Sequence, residues 1–284
     1  MTRNHSVEGL GTTGRRTLML TEKHPWSRGD MDRYGRSIRD GTEFDRELAA
    51  DIRAWHFQLL DEVKEVLEAA LSGQEIGYFS ITKRVKTEIS TRQKLQRQSM
   101  KLSQMQDFAG ARVTLCGGLR EQADALAAVV TAFEAAGARS VKVKEILDEP
   151  HSGYRAVHLH VTAEAGRAEV QLRTETQAQW ANAYELLADL TGREVRYGEN
   201  SMSGPVAGVV TWMQMTSDST YEWEKSVRVW EEIQRESVVP VDPGLQVFGG
   251  VRAYREFIVK HRKALVELLS YAEDHFRKLK EAQR

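Results

Sequence analysis

Apolar positions along the chain recur with two periods, and the switches between them outline the fold. Phe44, Leu48, Ile52, Trp55, Leu59, Val63, Val66 and Ala70 follow helical spacing. Thr42 is placed to cap that helix, and Gly73 supplies its stop. Tyr78, Phe79, Ile81 and Val85 favour a strand, and residues 90–102 return to helical spacing with a basic face of Arg92, Lys94, Arg97 and Lys101. Residues 111–116 form a short β run, residues 119–136 an alanine-rich helix ended by Gly137, and residues 140–146 an alternating strand. Residues 154–161 alternate again, and 168–172 read as a neighbouring strand. Thr174 then caps a helix running to about Leu190, with Gly192 beyond it.

Strands alternating with helices between residues 77 and 190 predict a mixed α/β sheet with helices packed on it. Residues 198–204 read as a Gly/Ser linker. Two helical stretches follow, 206–236 and 246–281, separated by a break at residues 239–244 that contains two prolines. Trp212, Met213, Met215, Tyr221, Trp223, Val227 and Trp230 give the first a rich apolar stripe. It suits packing on the sheet domain, a homo-oligomer contact or a protein partner.

Composition narrows this picture by exclusion. In 284 residues, 40 Lys plus Arg oppose 41 Asp plus Glu, so bulk charge does not mark a nucleic-acid binder. One cysteine, Cys116, rules out a disulfide framework and a cysteine-rich zinc site; it reads as a buried cysteine at a strand end. No run of ~18 apolar residues exists, so no membrane span is expected. The first 31 residues lack the apolar stretch of a signal peptide and read as a flexible lead-in carrying Arg15, Arg16 and Lys23. A cytoplasmic location fits.

Four islands carry chemistry. Arg84-Val-Lys86 puts two cations on one strand face, Ser90 sits where it can cap the following helix, and Lys94 lies one turn on. Fixed cations beside helix N–H groups suit a polyphosphate. Asp107-Phe-Ala-Gly-Ala-Arg112 joins a carboxylate suited to Mg²⁺ with an arginine at a strand start. Gly153-Tyr-Arg-Ala-Val-His158 puts Tyr154 and His158 on one face, an arrangement able to stack a base and touch its phosphates. Glu169-Val-Gln-Leu-Arg173 lines three polar side chains along one strand face. Each alone has an ordinary alternative: a solvated basic helix, a turn aspartate, a core tyrosine, a solvent face.

Together, in this order, the islands resemble the synthetase domain of the RelA/SpoT family, with its patterns R-x-K-x-x-x-S-x-x-x-K, D-x-x-G-x-R, G-Y-R-x-x-H and E-x-Q-x-R-T. The resemblance spans about residues 78 to 190 and implies a nucleotidyltransferase-like α+β fold. It implies an enzyme that moves the β,γ-diphosphate of ATP to a 3′-hydroxyl, as in synthesis of the alarmones ppGpp and pppGpp from GDP or GTP. By position, Asp107 would hold Mg²⁺, and Glu169 would act near the acceptor hydroxyl as base or second metal ligand. Arg84 and Arg120 would flank the adenine, and Lys86, Ser90, Lys94 and Arg112 would contact the ATP phosphates. Tyr154 would stack on the acceptor base, His158 and Gln171 would place the acceptor and the attacking group, and Arg173 would brace its strand.

The implied organisation is a flexible, basic segment over residues 1–41, a synthetase domain over 42–198 and a helical extension over 199–284, with no hydrolase domain. One departure stands before Tyr154. Many guanosine-using relatives carry a lysine there, whereas this chain reads Lys144-Glu-Ile-Leu-Asp-Glu-Pro-His-Ser152. That is similar to toxic small members of the family. Some of those pyrophosphorylate the 3′-terminal adenosine of tRNA, others make adenosine alarmones, and they are usually paired with an antitoxin. Three readings therefore stand: an alarmone synthetase using guanosine or adenosine nucleotides; a toxin acting on the tRNA 3′ end, aided by a basic patch of Arg15, Arg16, Lys23, Arg28, Arg33, Arg36 and Arg39 with the Ser90 helix; and a degenerate binding protein, which intact Asp107 and Glu169 disfavour.

Overall fold

A computed structural model describes residues 19–74, 76–197, 205–235 and 251–282. Helices α1 (Arg28–Asp40) and α2 (Arg46–Ser72) precede strand β1 (Phe79–Val85), helix α3 (Glu88–Arg97) and strand β2 (Ala109–Leu115). Helix α4 (Leu119–Ala135) leads to β3 (Ser140–His151), β4 (Tyr154–Ala163), β5 (Gly166–Thr174) and helix α5 (Glu175–Thr191). Two long helices close the described chain, α6 (Pro205–Arg235) and α7 (Val251–Ala282). The strands form one mixed sheet in the order β1-β2-β5-β4-β3; β2 and β5 are parallel and the other pairs antiparallel.

Period two divides the sheet into two chemically different faces. Ala111, Val113, Leu115, Leu159, Val161, Val170 and Leu172 are buried beneath Ile52, Leu59, Val63 and Leu67 of α2 and Val129 and Phe133 of α4. The opposite face carries Arg84, Arg112, Glu169, Gln171, Arg173, Tyr154, His158 and His160 on the alternate positions of those strands. A second cluster, with Trp180, Tyr184 and Leu187 of α5, Val210 and Met213 of α6, and Leu269 and Phe276 of α7, builds the helical layer beside that polar face. Burying an aromatic or leucine side chain contributes about 1.5–3 kcal/mol, so both clusters are substantial.

Three ties lock the helical layer to the sheet. The Arg155 guanidinium donates to Leu147 O (2.8 Å), Ser217 Oγ (2.6 Å) and Asp218 Oδ1 (2.8 Å), and it stacks over the Tyr221 ring. Buried Glu224 accepts from Thr174 Oγ1 (2.7 Å) and Thr176 Oγ1 (2.5 Å), where β5 passes into α5. Burial drives the Glu224 carboxyl above its usual range despite these hydrogen bonds. Gly153, at φ 84°, closes the β3–β4 turn; a Cβ there would meet Trp180 at 2.8 Å and the Gln214 backbone at 3.3 Å. Only glycine meets both demands without strain.

Several local expectations need correction. The segment 28–40 is a helix, not a flexible lead-in: Ser27 and Asp30 form a capping box, and Met31, Tyr34 and Ile38 are buried at i, i+3, i+7 spacing. Residues 1–18, with Arg15 and Arg16, lie outside the described residues, as do the expected linker at 198–204 and the break at 239–244. Asp45, not Thr42, caps α2, its carboxylate accepting from the N–H groups of Glu47 and Leu48. Cys116 is exposed, because β2 ends one residue earlier and the chain turns there. Arg33 and Arg39 on α1 pair with Asp30 and Asp40, which reduces the free charge of the expected basic patch. No helix among the described residues is long and apolar enough to cross a membrane.

Candidate active site

The polar end of the sheet is assembled from four turns that the local sequence dictates. Thr87 caps α3, accepting from Ser90 N at 3.3 Å and donating to Ser90 Oγ at 3.0 Å, so Ser90 occupies the first turn and not the cap itself. This aims Lys94, one turn later, back toward the end of β1. Lys86 leaves β1 with its N–H donated to Phe108 O at 2.8 Å, which brings the residue 106–108 turn alongside it. Arg53 of α2 donates to Lys86 O at 3.2 Å from behind.

Asp107 sits in that turn with its two oxygens divided between two ammonium groups, Lys86 Nζ at 3.0 Å and Lys94 Nζ at 2.7 Å. Burial works against its charged form, and the two lysines outweigh burial and hold the carboxyl below its usual 3.8. On β2, Gly110 pairs with Arg84 of β1 and Glu169 of β5, and Arg112 pairs with Thr82 and Gln171. Arg84 and Arg112 thus lie diagonally adjacent on one face. Burial, then the neighbouring Arg173 and Arg84, push the Arg112 guanidinium below its usual range: it is a cation held among cations.

Glu169 is the second carboxylate of this face. Its Oε1 lies 3.1 Å from His158 Nδ1 and 3.4 Å from His160 Nε2, and its Oε2 accepts from Gln171 Nε2 at 2.8 Å. Burial opposes its charge, but the hydrogen bonds from His158 and His160 prevail, so it stays far below the ordinary carboxylate range and ionised at neutral pH. Arg173 Nη2 donates to Gln171 Oε1 and to the Tyr154 hydroxyl, each at 2.7 Å, and the Tyr154 hydroxyl lies 2.8 Å from His158 Nε2. Arg173 also covers one face of the Tyr154 ring, 4.9 Å from its centroid, leaving at most the other face for a base.

Arg84, Lys86, Asp107, Gly110, Arg112, Glu169 and Gln171 line one open hollow of about 150 Å³. Small-molecule sites usually enclose about 300–1,000 Å³, so this hollow suits a phosphate chain with its nucleoside lying outside, over exposed Arg84. Two larger hollows lie elsewhere, but neither gathers the paired carboxylates and unneutralised arginines. Ser90 and Lys94 stand at the edge of the site on α3. Arg120 does not belong to it. It opens α4 beyond the far end of β2, paired with Glu121, Asp124 (3.4 Å) and Glu231 (3.2 Å). Arg112, not Arg120, therefore stands beside Arg84. The residue that sequence reasoning passed over is His160. The period-two spacing of His158-Leu159-His160 was the available signal.

A mixed sheet presenting clustered cations and two carboxylates to one phosphate-sized hollow defines a class, the transferases that handle nucleotide polyphosphates. Residues 83–187 match the family described as "Region found in RelA / SpoT proteins". The uncharacterized protein Rv1366 of Mycobacterium tuberculosis is 36% identical over 194 residues, which is 67% of this chain and 69% of that protein. The uncharacterized protein Mb1401 of Mycobacterium bovis matches with the same figures. Among solved structures, the small alarmone synthetase 1 from Bacillus subtilis bound to its product pppGpp aligns with a TM-score of 0.51 at 23% identity, covering 69% of this chain and 100% of that chain. A GTP pyrophosphokinase family protein from Streptococcus pneumoniae aligns with a TM-score of 0.51 at 20% identity, covering 68% of this chain and 97% of that chain. The fold is that of these small synthetases, and the chain belongs to the RelA/SpoT family, whose synthetase members are pyrophosphokinases.

Proposed function

We propose that this protein transfers the β,γ-diphosphate of ATP to the 3′-hydroxyl of a guanosine or adenosine nucleotide. The observation that carries the reading is the convergence of Lys86, Asp107, Arg112, Glu169 and Gln171 on one hollow at the joined ends of β1, β2 and β5. The acceptor oxygen forms a bond to the β-phosphorus, the bond to the α-phosphate oxygen breaks, and AMP leaves. Arg84 and Arg112 flank the donor. Lys86 and Lys94, now spent on Asp107, turn to the phosphates when these arrive, and Ser90 adds a hydroxyl from the first turn of α3. Released in that way, Asp107 would hold Mg²⁺. Two ionised carboxylates beside a phosphate hollow are the donors this ion prefers, so the residues fit it. Bound there, Mg²⁺ would offset charge on the transferred group. Glu169, far too acidic to hold a proton in the ground state, orients the acceptor hydroxyl and receives its proton only as the new bond forms. Gln171 and His158 fix the Glu169 carboxylate, and Tyr154 would meet the acceptor base on the ring side away from Arg173. The synthetase unit on this reading includes α1, and α6 and α7 form its cover.

The test is purified protein with Mg²⁺ and ATP labelled at the γ-phosphate, offered GDP, GTP, excess ATP and deacylated tRNA in parallel. Label in a small guanosine or adenosine product is expected. Label confined to tRNA, and lost with its 3′-adenosine, would replace the nucleotide acceptor by the tRNA end and make the protein a toxin in function. No transfer to any acceptor would sink both.

A further inference from the structure

The second carboxylate has a neighbour that the transfer reaction does not use. His160 faces Glu169 across the β4–β5 pair, in direct register, and His158 follows two positions earlier on the same face. His158 Nδ1 and His160 Nε2 both aim at the same oxygen, Glu169 Oε1, at 3.1 and 3.4 Å, and the three ligand atoms lie within 4.8 Å of one another. As a hydrogen bond the longer contact is weak. As the edge of a coordination shell both are suitable, since metal–ligand bonds of about 2.1 Å set neighbouring donors about 3.0 to 3.4 Å apart.

The surroundings suit a ligand set. The Tyr154 hydroxyl oxygen, already accepting from Arg173, can accept from His158 Nε2–H as well. A bound metal would favour that tautomer, with Nε2–H held by Tyr154 and Nδ1 turned to the ion in place of its hydrogen bond to Glu169. Outer hydrogen bonds of this kind are what orient metal-binding histidines. Gln171 anchors Oε2, which fixes the rotation of the Glu169 carboxylate, and Glu169 lines the hollow, which leaves an open coordination position on that side.

We infer that His158, His160 and Glu169 form a binding site for a zinc-class divalent metal. Two imidazole nitrogens in three donors favour zinc or cobalt over magnesium, which prefers oxygen. The site shares Glu169 with the proposed transfer reaction but does not require that reaction. Its test uses no substrate, so failure of one reading leaves the other standing.

Metal-free protein is titrated with Co²⁺, and the visible ligand-field bands are followed. Saturation at one equivalent is expected, with little displacement by about a hundredfold excess of Mg²⁺. His160→Gln should weaken Co²⁺ binding by about tenfold or more, while His151→Gln, at an exposed position outside the cluster, should leave it unchanged. Weak, unsaturable binding, or equal affinity in His160→Gln and wild type, overturns the site. X-ray absorption on the zinc-bound wild type gives a reading that needs no variant. Scattering from two imidazoles is expected, and a shell without imidazole also overturns it.

Discussion

The two ends of β2 carry similar residue types and opposite physics. At the Ala109 end, Arg112 lies beside Arg84 and Arg173. Neither Arg84 nor Arg112 forms an ion pair among the described residues, and both border a hollow that also holds Asp107 and Glu169. At the Leu115 end, Arg120 is paired with three acids from α4 and α6, and its hollow is walled by Trp223, Trp230 and Arg262. A cation kept among cations costs stability that an arriving polyanion restores. A cation already neutralised by neighbouring carboxylates has little left to offer a phosphate. Residue type alone does not separate these cases, but the charges around each guanidinium do.

The sharpest way to break the contrast is to empty the first end of its carboxylates. Asp107→Asn and Glu169→Gln are each expected to lower kcat by about a thousandfold or more, equivalent to about 4 kcal/mol of transition-state stabilisation. Circular dichroism should show the fold intact. Turnover within tenfold of wild type in either variant would remove that residue from the site.

Acid should loosen the same end selectively. His56 of α2 is buried, donates from Nδ1 to Ile52 O (2.6 Å), and stands edge-on to Phe108, the neighbour of Asp107. Burial lowers its pKa from 6.5 to about 4. The folded-state value lies below the unfolded one, so this histidine's contribution is complete above pH 6.5, declines as pH falls from 6.5 to about 4, and changes no further below that. The span corresponds to at most about 3 kcal/mol. Denaturant titrations across this range should show the decline in wild type and a flatter profile in His56→Gln, and hydrogen exchange should show the residue 106–108 turn opening before α4.

Much of this architecture was readable from residue pattern because it rests on short-range rules. Alternation located β3 and β4, short apolar and β-branched runs located β1, β2 and β5, and Thr174 announced the start of α5. The failures share a cause, the choice between nearby candidates that only tertiary contacts decide. Thr42 and Asp45 are both competent caps, as are Thr87 and Ser90, and the geometry of the adjoining turn selected Asp45 and Thr87. In α1 the apolar signal is three residues wide, Met31, Tyr34 and Ile38, diluted by charges. Its burial depends on a close crossing, where Gly35 meets Leu102 so tightly that a Cβ would come within 2.6 Å. The site residues were legible as motifs, but their pairing was not. That Lys86 and Lys94 divide Asp107 between them, or that Arg155 reaches across to α6, follows from contacts between residues far apart in the chain.

Two arginine substitutions sharpen the comparison at its finest grain. Arg112→Ala is expected to lower kcat/KM for ATP about a hundredfold, or about 2.7 kcal/mol, since it removes a desolvated cation aimed at the phosphate hollow. Arg120→Ala should change kcat/KM by less than about twofold, because its charge is already spent on Glu121, Asp124 and Glu231. Its cost belongs to stability instead, about 1 kcal/mol or less for partly exposed ion pairs, and should shrink further in high salt. A steady-state comparison of the two variants at fixed acceptor concentration decides the matter. If Arg120→Ala raises the KM for ATP as strongly as Arg112→Ala does, the donor nucleotide reaches round to the far end of β2, and the division between the two ends is wrong.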